Sequence, residues 1–312
     1  MLPPQLPPKP PPTEPTLNPQ QALILALLAT CVFASAPSCI RAVHLDAISL
    51  GITRLGLASA AMTIVLLIQR KLTLAELRSW SRQTWKAIVT VGLVFGCHWV
   101  LFFLSIKIGS AAVGAIGFSS VGVQLLLLGW LLGFSQVTSL DLVGLLLAIV
   151  GSILLFPAFS LENEQTVGLA IGILSGTFAA FLPLLHQRHI AVDADLRIWG
   201  QFGIGLAVFL ILWPYAEWEF HARDTGLILY LGLVVAWLGH ATWTRVSTVL
   251  STTTLSILTY LYLPGALMVS FLALGEKLPG RMSFGAGLVL VANALVLISQ
   301  HRRGALSARA SR

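Results

Sequence analysis

Charge is what this sequence holds least of. Its 312 residues include 19 Lys or Arg and 12 Asp or Glu, together 10% of the chain, where a soluble domain carries about a quarter charged residues. So little polar material cannot cover a water-facing surface, which excludes an ordinary soluble globule. The net charge of +7 does not point to nucleic acid either, because the basic residues stand between apolar runs and do not cluster along a groove. Cysteine is scarce too. Cys31, Cys39 and Cys97 show no CxxC or Cys/His spacing, which argues against a disulfide frame or a zinc site and reads as small, reduced core thiols. Catalytic signatures are missing as well: there is no HExxH, no GxxxxGK[ST] and no carboxylate pair deep in an apolar run. Metal or acid–base hydrolysis and direct use of ATP therefore have no visible machinery, and no cofactor or metal is expected.

What the chain does have is apolar length. Hydrophobic residues make up 56% of it and the mean hydropathy is +0.87. A helix needs about 20 apolar residues to cross about 30 Å of hydrocarbon. Runs of that kind cover 21–43, 46–69, 85–107, 109–132, 138–159, 166–190, 194–214, 224–247, 250–274 and 282–300, which predicts an all-α membrane protein of ten transmembrane helices. Residues 1–20 are different, because nine of the 15 prolines fall there; such a stretch stays extended and builds no core. Basic residues test the count. With the N-terminus inside, 13 lie on cytoplasmic segments, among them the cluster from Arg70 to Lys86 and the arginines after residue 300. Five lie outside (Arg41, Lys107, Arg223, Lys277, Arg281), and Arg54 is within a span. That bias favours an even number of spans with both termini cytoplasmic, in a bacterial inner membrane.

The ten spans divide near residues 161–166 into two sets of five, and an odd number inserts the second set upside down relative to the first. A shift of 142 residues places Cys97-His98 on Gly239-His240, Ser105 on Ser247, Phe118 on Tyr260 and Gly133 on Gly275. Inverted repeats of this kind hold a substrate between the halves near the midplane, which favours a carrier over a channel, a membrane enzyme or a sensor.

The stretch Ser251-Thr252-Thr253-Thr254-Leu255, continuing through Pro264 to Leu274-Gly275-Glu276-Lys277-Leu278 and Gly285, resembles the closing half of an EamA domain of the drug/metabolite transporter superfamily. Arg54, Ser110-Ala111-Ala112-Val113, Gly133 and Gly144–Gly151 carry a fainter likeness in the first half. The first copy departs from the family pattern at Val121 or Gly122, where proline is usual, and at Phe134, where glutamate is usual. The resemblance implies repeats over 21–160 and 161–300, flanked by tails 1–20 and 301–312. It also implies a metabolite carrier, commonly for amino acids or related compounds and here expected to export, working by alternating access through a central cavity. The partners to expect are a small-molecule substrate, the bilayer and, for coupling, protons.

Polar groups inside a bilayer are costly and need a reason. Arg54 lies about 12 Å deep in span two; it either meets a substrate carboxylate, bonds carbonyls of a neighbouring helix, or reaches outward to water. His98 and His240 occupy matching places in spans three and eight, and histidine titrates near neutrality. His98, Phe102 and Ser105 share one helical face, as do His240, Thr244 and Ser247. Ser119, Ser120 and Gln124 on span four and Tyr260 and Tyr262 on span nine either line the pathway or glue helices together. Trp99, Trp237 and Trp243 are candidates to wall a pocket, whereas Trp80, Trp85, Trp213 and Trp218 read as an interfacial belt. Gly168, Gly172 and Gly176 form a smooth ridge on span six, Pro183 is a potential bend, Pro264 is expected to break span nine, and Glu276 is expected to pair with Lys277 and Arg281.

Overall fold

A backbone crossing hydrocarbon must bond itself, so a helix is the form these apolar runs can take. The computed structural model describes residues 17–131, 138–155, 162–247, 249–250, 252–277, 280–281, 283–292, 294–295 and 298, and the side chains of 252–260 fall outside that description. So do the tails 1–16 and 301–312, the repeat boundary at 160–161, and the landmarks Gly133 and Phe134. Every regular element among the described residues is helical. In order these are α1 (Pro19–Ala42), α2 (Ala47–Ile68), α3 (Leu74–Ser79), α4 (Arg82–Ile108), α5 (Ala111–Ser119), α6 (Val121–Leu131), α7 (Ser139–Leu155), α8 (Glu164–Arg188) and α9 (Ala194–Ile211). Next come α10 (Thr225–Leu229), a π-helical stretch (Tyr230–Gly239), α11 (His240–Val246) and α12 (Thr252–Leu274), then α13 (Ser283–Ala292).

Among the described residues six helices are long and apolar enough to cross a membrane: Gln20–Ala42, Ala47–Ile68, Arg82–Ile108, Glu164–His186, Ala194–Ile211 and Ala222–Val246. Shorter apolar helices run over Ala111–Leu125, Leu261–Leu274 and Ser283–Ala292. The chain is a multi-pass membrane protein. Polar breaks in the sequence become caps: Asn18, Asp46, Thr73, Ser81, Ser110 and Asp193 each accept backbone N–H bonds at the start of a helix, satisfying donors the helix itself cannot.

Four local expectations are corrected. The run 109–132 is two helices, because the Ser120 N–H turns back to Gly117 and its hydroxyl bonds the same carbonyl at 2.6 Å. The run 224–247 contains ten residues of π-helix, a widening that periodicity does not announce. Pro264 does not break span nine; α12 passes through it. Cys31 is exposed on the outside of the bundle, while Cys39 and Cys97 are half-buried.

Within this array α4 is central, packed along both α8 and α9, while α1 lies on α12 and α2 on α9 and the π stretch. Small residues make the closest approaches. A Cβ on Gly117 would stand 2.9 Å from the backbone of Gly172, and one on Gly168 would stand 2.8 Å from the Cα of Gly109. The glycine ridge of α8 is thus the seam with α5 and the end of α4, as small-residue spacing in membrane helices leads one to expect.

The two ends of the bundle carry the charge. At one end Arg41 donates to the carbonyls of Ile106 (3.2 Å) and Lys107 (2.6 Å), Lys107 bonds the Val43 carbonyl, and His44 meets Asp224 at 2.9 Å. At the other, Asp195 lies between Lys71 (3.1 Å) and Arg245 (2.5 Å), with Asp193 2.9 Å from Lys71. Burial opposes charge on Lys71, yet bonds and attraction from Asp193 and Asp195 prevail and raise its pKa. Its contribution to stability is therefore present below the ordinary lysine pKa and is lost as pH climbs through the raised value. Trp80 with Trp85 (5.1 Å) and Trp213 with Trp218 (4.9 Å) form ring pairs at helix ends.

Replacing Gly172 by Val wedges two backbones apart and should lower stability by about 1–3 kcal/mol. Gly56→Ala, which points into open space, should be neutral or slightly stabilising. Thermal unfolding of both variants in the same detergent checks the contrast.

Candidate functional site

The centre of the bundle is a lattice of rings around Trp99. Arg54, eighth residue of α2 and fully buried, lays its guanidinium 3.6 Å over the Trp99 ring and 5.5 Å from that of Phe103. Its Nε donates to the Leu231 carbonyl on the π stretch at 3.1 Å. Nη1 and Nη2 have no hydrogen-bond partner among the described residues. Two of the three sequence readings are thereby decided in part. The side chain does not reach outward to water, and it is anchored to one carbonyl while its forked end is left open. Every Asp and Glu of the described chain lies at a helix start or in a loop, so no carboxylate of its own helices sits at the depth of Arg54.

Two histidines flank the same indole. His98 is 5.0 Å and His240 5.4 Å from Trp99, centroid to centroid. His98 Nδ1 lies 2.8 Å from the Ser175 hydroxyl and 3.2 Å from the Ser175 carbonyl, while that hydroxyl donates to the His98 carbonyl at 3.0 Å. A carbonyl can only accept and the serine proton is already used, so His98 carries its proton on Nδ1. His240 packs on Phe33 (4.7 Å) and edge-on to Phe95 (5.1 Å), and its Nε2 is buried without a partner among the described residues. Phe102 joins His98, Trp99 and Phe118, and Phe118 meets the ring of Tyr262 at 5.3 Å. Tyr262 Oη and Trp99 Nε1 are likewise buried and unpartnered among the described residues.

Arg54, His98, Trp99, Phe102, His240 and Tyr262 therefore form one connected cluster. Other candidates do not join it. Ser105 bonds the Gly168 carbonyl at 2.6 Å and fastens α4 to α8. Ser119 and Ser120 turn back to carbonyls three residues earlier, and Gln124 Nε2 bonds Ser120 and the Ile173 carbonyl (3.0 Å). Thr244 is buried and accepts nothing from the cluster; its carbonyl takes the Ser247 hydroxyl. Trp237 packs at the rim of the main apolar core and Trp243 touches Phe33 at 6.0 Å. The Tyr260 side chain lies outside the described residues. Sequence spacing missed Phe33 and Ser175, because they reach the cluster from α1 and α8, and it passed over Phe95, which stands one turn before Trp99 on the same face of α4 with ring centroids 6.0 Å apart. Arg197, counted in the sequence only as one of the cytoplasmic basic residues, is buried near the start of α9, donating to Val192 O (3.0 Å) and to His186 Nδ1 (3.0 Å).

Glu276 requires the clearest correction. Among the described residues it forms no ion pair with Lys277 or Arg281. Its carboxylate accepts the N–H groups of Ala111 (3.2 Å) and Ala112 (2.9 Å) at the start of α5 and the Ser270 hydroxyl (2.6 Å). Gly275 makes this possible. Its φ of 66° ends α12 in a left-handed turn, with its N–H on the Phe271 carbonyl, and swings the next residue toward α5. An anion at a helix N-terminus is favourable. Beneath this contact lies an open cavity of about 370 Å³ lined by Ala112, Leu267, Ser270, Phe271, Glu276 and Lys277.

Residues 20–156 match the model of the EamA-like transporter family. The match falls on the first half of the chain, although the second half carries the clearer landmarks by inspection. No curated protein matches this chain. A solved structure titled "Crystal structure of protein" superposes with a TM-score of 0.63 at 15% identity, covering 88% of this chain and 96% of that one. At that identity the likeness is one of fold.

Glu276→Ala should destabilise the protein by about 1–2 kcal/mol, since it leaves the Ala111 and Ala112 N–H groups unpaired while the Ser110 cap on Val113 stays in place. Glu276→Gln keeps an acceptor without the charge and should fall between. Thermal unfolding of the three proteins side by side measures the order.

Proposed function

From the match of residues 20–156 to the EamA-like transporter family model, we propose that this chain is a secondary carrier of a small metabolite, an amino acid or related compound, and that it exports its cargo. Ten helices in two inverted sets of five hold the cargo between them and work by alternating access. The observation that carries this reading is the position of the aromatic–histidine cluster, assembled from α1, α2, α4, α5, the π stretch with α11, and α12. A cluster shared by both halves is where an inverted-repeat carrier holds its substrate.

Two further features support it. Tyr262, Ala266 and Ser270 are all buried and recur every four residues, a stripe running about 12 Å along α12 from the Glu276 cavity to the cluster. The two ends of the bundle are also held by different polar contacts, Glu276 on α5 at one and the Lys71–Asp195–Arg245 group at the other. In the carrier reading these are the outer and inner closures, and the termini are cytoplasmic. Residues 111 and 112 correspond to 253 and 254 under the 142-residue shift, and Phe134 corresponds to Glu276. The first repeat thus has no glutamate at the position that matches Glu276 in the sequence. Protons remain the proposed coupling ion, with His98 and His240 as the titrating groups.

Flux of metabolites into proteoliposomes is the deciding measurement. A carrier gives saturable flux, competition between related solutes and counterflow; flux that rises without limit would make the protein a channel. If protons drive transport, His98→Ala or His240→Ala should flatten its pH dependence. For topology, an impermeant thiol reagent added outside cells should modify Gly280→Cys and spare Glu76→Cys.

A further inference from the structure

Arg54 is a full charge placed where its helix offers no opposite one. A buried cation without a counter-charge is among the least favourable arrangements a protein can hold. The stack on Trp99 offsets part of that cost, and the Leu231 carbonyl satisfies one donor of the guanidinium. The terminal nitrogens remain open, and they are not alone. Trp99 Nε1, a donor only, Tyr262 Oη and His240 Nε2 are also buried without partners among the described residues. Three of these four residues are joined directly through the indole of Trp99. The open groups are mainly donors, and the walls between them are aromatic.

Extending the carrier reading, on which this inference rests, we propose that the cargo is a small organic monoanion, a carboxylate on a flat apolar body, bound with its carboxylate at the Arg54 fork and Trp99 Nε1. The fork of a guanidinium matches a carboxylate in two parallel bonds. A single cation in the cluster balances one negative charge, which disfavours phosphate esters and other dianions. Phe95, Phe102 and Phe118 supply flat apolar surface for the body of the ligand. Tyr262 and His240 remain to meet a second polar substituent. Because Arg54 is fully buried and His98 and Trp99 nearly so, the ligand enters when the bundle opens and is enclosed when it closes.

Purified wild-type protein is to be titrated with benzoate, phenylacetate and hexanoate, with phenylacetamide and phenethylamine as uncharged and cationic counterparts. Thermal stabilisation and tryptophan fluorescence, in a constant chloride background, are the readouts. At least one of the three acids should raise the melting temperature and quench Trp99, while the amide and the amine do neither. Arg54→Gln should weaken that acid by about tenfold or more, the worth of a charge-assisted bond, with Arg54→Lys in between. Trp99→Phe keeps a ring under the guanidinium and removes only the Nε1 donor, so it tests the same site should Arg54→Gln fail to fold; it should weaken the acid severalfold in the melting assay. Equal effects of acid and amide, no effect of any of the acids, or acid binding indifferent to both the lysine and phenylalanine variants would overturn the proposal. Saturable flux of an uncharged or cationic solute in proteoliposomes would leave the carrier reading standing while removing this one.

Discussion

Inside a bilayer there is no water to expel, so helices hold together only where their atoms touch. That constraint governs this molecule. Gly109, Gly117, Gly168 and Gly172 let the backbones of α4, α5 and α8 come into contact, and contact at that range lets short polar groups bridge helices. Ser105 can reach the Gly168 carbonyl, and Ser175 can fix His98, because no bulk intervenes. The ring lattice is held in turn by those bonds. His98 is tied to Ser175, Phe102 and Trp99 pack on it, and the Arg54 guanidinium lies 3.6 Å over the Trp99 ring. Central chemistry depends on peripheral smallness.

That the chain is a protein of membrane-spanning helices was readable from its sequence, and for a physical reason. Hydrocarbon imposes length and apolarity on a crossing segment, and both are properties of consecutive residues. The same holds for helix starts, where Asp46, Ser81 and Ser110 announce themselves as caps before apolar runs. Features that depend on how one helix meets another were not readable. The π stretch of Tyr230–Gly239 leaves no mark in hydropathy. The partner of Glu276 is 164 residues away at Ala112, whereas the sequence offered Lys277 next door. Opposite charges in sequence proximity compete poorly with two aimed N–H groups at a helix end.

The candidate site divides along the same line. His98, Trp99 and Phe102 were found because they repeat along one helix, and a repeat is a local signal. Phe33 and Ser175 arrive from other helices, and no spacing rule connects them to Trp99, whereas Phe95 obeyed the same four-residue spacing and passed for one more apolar residue of the run. Ser105, Ser119 and Ser120 look identical in sequence to pathway hydroxyls, yet each spends its proton on a carbonyl of its own or a neighbouring helix. A hydroxyl in a membrane helix can always find such a carbonyl. Polarity alone therefore marks cost, and only geometry tells which groups remain open.

One contrast between the two ends of the bundle bears on the solutions that bathe them. The grip of Glu276 is on amides and a hydroxyl, with no cation in the contact. The group formed by Lys71, Asp193, Asp195 and Arg245 is an ion-pair network, and most of its members are about one-third exposed. Dissolved salt screens exposed ion pairs strongly within a Debye length of about 8 Å at physiological ionic strength, but it does little to a carboxylate seated on backbone N–H groups. The Glu276 contact therefore withstands ionic strength that weakens the Lys71–Asp195–Arg245 group, although its end of the bundle also holds the His44–Asp224 pair. The molecule carries a built-in asymmetry toward ionic strength that owes nothing to its cargo.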